Sequence, residues 1–130
     1  MTSANPYLTI EVTSGPKSQT IVLTGEADLL GAPKIEAALK DICAEESELV
    51  VIDLRSLTFI DSSGLHALMT GHAQCVAQGK ELKVIPGPAP VQRLFEIAGM
   101  DEILPFTDAA DLDIQAPHQA ATPRTPRSSP

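Results

Sequence analysis

Asp61-Ser62-Ser63-Gly64 is the stretch of this chain best equipped for chemistry, with a carboxylate and two hydroxyls on successive residues. It follows the most apolar run, Leu49-Val50-Val51-Ile52, and a short connection from Asp53 to Ile60. It comes directly before an apolar pattern of helical period that starts at Leu65. A strand, a connection and a helix start place these groups at a helix N-terminus. The first backbone N–H groups of a helix have no intrahelical partner and carry partial positive charge, a setting that suits a phosphate. Two readings follow. Either the residues cap the helix, for which Asp and Ser are preferred and which contributes about 1 kcal/mol, or a serine is covalently modified. One cap needs one residue, and the capping-box partner is missing: Gly64, Leu65 and His66 stand where Glu or Gln would close it. The residues leave both readings open.

Other chemistries fit less well. A serine nucleophile needs a base held beside its hydroxyl. His66 lies one helical turn after Ser63, but no orienting acid is evident and the glycines of G-x-S-x-G are missing. The chain is therefore expected not to be an enzyme. His66 and His72, six apart, fall on different faces of one helix, and His72 reads as a histidine at the core edge. With no H-E-x-x-H or C-x-x-C spacing, no metal is expected. Gly79-Lys80 is followed by Glu81 and has no glycine five residues before it, so it is not a phosphate-binding loop, and no cofactor is implied. Cys43 and Cys75 are too few for a disulfide framework and read as small buried hydrophobes rather than a redox pair.

The chain has 130 residues, enough for one domain with a modest core. Aromatic residues make up only 3%, so Val, Ile, Leu and Ala must build that core. The net charge is −8, and because Asp113, Arg124 and Arg127 leave residues 113–130 at +1, the remainder carries −9. This balance argues against nucleic acid, which needs a basic face, and against an anionic membrane surface. It leaves room for a protein partner with a basic rim. No basic-plus-apolar signal segment and no apolar run near ~18 residues is present, so a soluble, cytoplasmic protein is expected.

The elements that must position the tetrapeptide follow from the patterning. Residues 1–6 read as a flexible N-terminus. Leu8, Ile10 and Val12 alternate as in a half-buried strand, and Thr20 to Thr24 form a second, with a Ser14-Gly15-Pro16-Lys17 turn between them. Pro33 suits a first helical turn, and Ile35, Ala38, Leu39 and Ile42 give that helix its stripe, ending near Ala44. Leu49 to Ile52 lacks alternation, as a central parallel strand does. Leu65, Leu68, Met69, His72 and Val76 mark the stripe of the next helix, stopped by Gly79. Leu82 to Ile85 is a strand. Val91, Leu94, Phe95 and Ala98 mark a helix closed by Gly99, Ile103 to Phe106 a last short strand, and Thr107 to Leu112 a final helical turn. The expected fold is α/β: a mixed sheet opened by an antiparallel hairpin, then alternating strands and helices, about four helices in all. The domain spans residues 7–112. Residues 113–130, with four prolines and few large apolar side chains, read as a disordered tail.

Three segments carry a family resemblance: Val50-Val51-Ile52-Asp53-Leu54, Phe59-Ile60-Asp61-Ser62-Ser63-Gly64-Leu65, and Val91-Gln92-Arg93-Leu94-Phe95-Glu96-Ile97-Ala98-Gly99-Met100. Together with Leu23-Thr24-Gly25-Glu26-Ala27-Asp28 they resemble the STAS domain of bacterial anti-sigma factor antagonists over roughly residues 7–110. The resemblance implies a STAS-like fold and a binding function. Such an antagonist captures an anti-sigma factor that is also a serine kinase of the histidine-kinase-like ATPase type, and so releases a sigma factor. The kinase phosphorylates the antagonist and a phosphatase restores it. The modified residue is the one before the Gly, which is Ser63 here. Asp61, Ser62 and Gly64 match its flanking positions, and Asp28 matches an acidic position near the partner surface. His66, also expected at the partner surface, stands where the family more often has a small residue. The alternative the resemblance leaves is a STAS scaffold in a larger signalling assembly that does not use the serine.

Overall fold

The computed structural model describes residues 7–112, so the expected N-terminal segment 1–6 and tail 113–130 lie outside the described residues. Strand β1 (Leu8–Ser14) turns back into β2 (Ser18–Ala27), and the two pair antiparallel from Leu8 opposite Gly25 to Ser14 opposite Gln19. Helix α1 (Ala32–Cys43) crosses over to β3 (Leu49–Ile60), which pairs parallel with β2. Helix α2 (Ser62–Ala77) then leads to β4 (Glu81–Ile85), parallel to β3, and helix α3 (Ala89–Ile97) follows. The sheet order is β1-β2-β3-β4, the mixed sheet expected from an initial hairpin and later crossovers.

Four elements differ from the sequence reading, each for a visible reason. The residues from Asp53 to Ile60 are not a connection but the second half of β3, held against β2 through two register shifts. A bulge hides a strand from period-2 analysis because it flips the alternation. Ile103 to Phe106 is not a strand: Phe106 makes one isolated bridge to Val84, and Pro105 has no N–H with which to extend it. The Phe106 ring is instead held edge-on to Phe95, with centroids 5.2 Å apart. The described helices number three, with only a short 3-10 turn at Ala109–Leu112 in place of a fourth. Val76 is 58% exposed, because the buried stripe of α2 runs through Leu65, Leu68, Gly71 and Cys75 instead.

The core lies where α1 and α2 meet the sheet. Ile35 and Leu39 of α1 and Leu65 and Leu68 of α2 share it with Ile21, Ile52 and Val84, which are aligned across β2, β3 and β4. The helices touch closely at Gly71, where an added Cβ would lie 2.3 Å from Leu39 Cδ1. Cys43 and Cys75 are both buried, as expected, but they are not separate: a disulfide joins the last residue of α1 to the last turn of α2. The expectation of two unpaired thiols is corrected here. A separation of 32 residues gave no hint of the pairing, which arises because both stripes end on the same side of the helix pair.

The disulfide yields a first prediction. Constraining a loop of 32 residues should stabilise the fold by about 3–4 kcal/mol through the unfolded chain's lost entropy. Denaturant unfolding with and without reductant checks this, and identical midpoints would contradict it.

Candidate functional site

The site forms where β2 and β3 end and α1 and α2 begin. Asp61 has extended backbone (φ −119°, ψ −172°) and is the N-cap of α2. Its Oδ1 accepts from the backbone N–H of Ser63 at 2.9 Å and of Gly64 at 3.1 Å. Its own N–H donates to the Ala27 carbonyl at 3.2 Å, tying the helix start to the end of β2. The helix thus starts three residues earlier than its apolar pattern, and the cap is the carboxylate. Ser62 and Ser63 become the first two helical residues, and no hydrogen bond from either hydroxyl is found among the described residues.

Asp28 does the same work at the entrance to α1. Its Oδ1 accepts from Leu30 N and Gly31 N, both at 3.1 Å, and its carbonyl accepts from Gly31 N and Ala32 N. This is the Asx-type turn that lets a short acidic side chain replace a backbone bond. The turn pushes Leu29 and Leu30 outward, 69% and 58% exposed. Pro33 then enters the first turn of α1.

Between the two helix starts lies a groove of about 350 Å³, lined by Leu29, Ala32, Pro33, Glu36, Ser62, Ser63 and His66. Three of the six residues expected at the site therefore share this surface. Ser62 and His66 are exposed on it and Ser63 is half-buried. Asp61 and Asp28 are not among its lining residues, and their carboxylates position the two walls from behind. Gly64 is buried and does not line the groove. A Cβ there would lie 2.4 Å from the Ala27 carbonyl oxygen and 2.8 Å from Ile60 Cγ1, so the room is used inside the fold. The Leu29, Ala32, Pro33 and Glu36 wall was not singled out from the sequence. Its signal was the pair of leucines between the Asp28 break and Pro33, too short a run to carry any period.

Further back, β3 holds one buried ion pair. Asp53 is 1% exposed, and Arg55 grips it with Nε to Oδ1 at 3.0 Å and Nη2 to Oδ2 at 2.9 Å, while Arg55 N also donates to Oδ1. Burying one carboxylate is costly unless it is paired and hydrogen-bonded. The fork geometry of arginine supplies both conditions. The pair sits at the first register shift of β3, where Asp53 is the partner of Val22 and Arg55 lies in the extra residues before Ser56, the partner of Thr24.

The family model described as Mlab, STAS domain, matches residues 10–105. The chain belongs to the STAS domain family. Among curated proteins, this STAS chain is 26% identical over 107 residues to the anti-sigma-B factor antagonist of Staphylococcus aureus (strain NCTC 8325 / PS 47), covering 82% of the chain and 98% of that relative. Among solved structures, it is similar to an anti-sigma factor antagonist from Mycobacterium paratuberculosis, with a TM-score of 0.73 and 25% identity over 85% of this chain and 93% of that one. It also shares its fold with the Bacillus cell fate determinant SpoIIAA in the phosphorylated form, with a TM-score of 0.62 and 15% identity over 81% and 96% of the two chains. Within this STAS domain no described helix is long and apolar enough to cross a membrane, and no described cluster of His, Cys, Asp or Glu could hold a metal ion.

Two substitutions separate capping from close approach. Asp61→Ala should cost about 1 kcal/mol by leaving two N–H groups without their acceptor. Gly64→Ala should cost more, about 1–3 kcal/mol, because its Cβ meets backbone rather than a movable side chain. Urea midpoints of the two variants check the order, and a Gly64→Ala protein as stable as its parent would show that α2 can withdraw from β2.

Proposed function

We propose that this STAS domain is an anti-sigma factor antagonist switched by phosphorylation of Ser63. The observation that carries the reading is the division of labour at α2: Asp61 caps the helix, and the Ser63 hydroxyl is left on the wall of an open groove. The relatives named as anti-sigma factor antagonists, and the phosphorylated form of SpoIIAA with the same fold, support it. The partner on this reading is an anti-sigma factor with serine kinase activity, and a phosphatase returns Ser63 to its free hydroxyl. The chain itself contributes a substrate hydroxyl and a docking surface rather than catalysis.

The switch works by charge and bulk at a fixed surface. A phosphate on Ser63 adds about −1.5 to −2 charges. Two of the amide donors closest to it already serve Asp61, and Glu36 shares the groove, so little of the new charge is neutralised from within the helix start. A partner approaching with a like charge at about 6 Å, under an effective dielectric near 20, meets roughly 3 kcal/mol of repulsion, which is about a hundredfold in affinity. Solvent in the open groove lowers that figure, so about tenfold is a safe floor.

The test uses the cognate kinase, co-purified from the host, with ATP. The chain should gain one phosphate on Ser63; Ser63→Ala should still bind, and Ser63→Glu should bind at least about tenfold more weakly. Equal binding by the two variants would overturn the switch. The alternative reading is a STAS scaffold in a larger signalling assembly that never uses this serine. An assembly recovered without a kinase, with Ser63 unmodified, would select that reading.

A further inference from the structure

We propose that His66 is the cationic partner of a phosphate on Ser63, and that it draws the phosphate across the groove between α1 and α2. The inference deepens the switch described above and rests on Ser63 being the modified residue. Its grounds are positional. His66 stands three residues after Ser63 on α2, the spacing at which helix side chains become neighbours. Both line the same groove, and the His66 side chain is exposed there.

The charge inventory of the groove points the same way. Among its lining residues His66 is the one that can carry positive charge, and Glu36 is the one that carries negative charge. The amide groups of Ser63 and Gly64, which would otherwise attract an anion at a helix start, donate to Asp61. Lys34, near the start of α1, donates to the Leu8 carbonyl at 3.3 Å. The charged side chain that shares the groove lining with His66 is therefore Glu36 from α1, which is acidic. A phosphoserine here meets one carboxylate, Glu36, and one imidazole, His66, along the groove lining. A phosphate on Ser63 has its second ionisation near neutrality, and a proton shared between it and the His66 imidazole gives an imidazolium–dianion pair. In that position the phosphate fills the space beside Leu29, Ala32 and Pro33, and the phosphorylated protein carries its own plug in the groove.

The test places the phosphate without any kinase, by co-translational incorporation of phosphoserine at position 63 of the full chain. Phosphorus-31 NMR then follows the phosphate through its second ionisation. His66→Gln should raise that pKa by about half a unit, and His66→Lys should keep it near the parent value. The His66 imidazole should titrate about half a unit higher in the phosphorylated chain than in the unmodified one. Identical phosphate titrations in the parent and His66→Gln proteins would overturn the proposal, as would a His66→Lys protein that titrates like His66→Gln. Because translation supplies the phosphate, a failed titration removes only the His66 contact. Absence of Ser63 phosphate after exposure to the kinase removes only the switch.

Discussion

Everything at the groove depends on how near the start of α2 lies to the end of β2. The Ala27 carbonyl receives the N–H of Asp61 and lies where a side chain on residue 64 would have to be. Glycine at position 64 is thus a condition of the fold, set by packing. With α2 seated this closely, its first turn cannot slide along the sheet. The direction in which Ser63 points is then settled by the strand below it. That strand itself carries two register shifts, with the Asp53–Arg55 pair at the first of them.

Two aspartates then do parallel work with opposite appearances. Asp28 and Asp61 each use one carboxylate oxygen to accept two successive backbone N–H groups. Each ends a parallel strand and admits a helix. Acidic residues at the rim of a groove invite a reading in terms of recognition. Here their first task is to build the two rims of the groove, and any effect on a partner passes through the walls they position.

The opening hairpin, the mixed sheet and the positions of α1, α2 and α3 were legible in the sequence because each rests on a regular period or on stop signals such as Gly79, whose φ of 75° suits only a glycine well. Ser63 was singled out only through resemblance, since its own chemistry left capping and modification level. What could not be read were features made by chain reversal. The bulges of β3 break the very alternation used to find strands. The Cys43–Cys75 bond joins residues 32 apart, and the Leu29 to Glu36 wall meets Ser63 only after a crossover. The Val76 stripe failed for a smaller reason: glycine at position 71 lets α1 approach and rotates the buried face of α2 toward it.

Helices α1 and α2 touch through Gly71 and Leu39 at mid-length and are joined covalently near their far ends. Both walls of the groove thus belong to one stiff body. A surface that does not have to be ordered on contact forfeits little conformational entropy when a partner arrives. Complexes with such surfaces form with little backbone movement, and variation among related partners is expressed mainly in how long they stay bound. A change on either wall of this groove is then expressed mainly in the dissociation rate of whatever binds there.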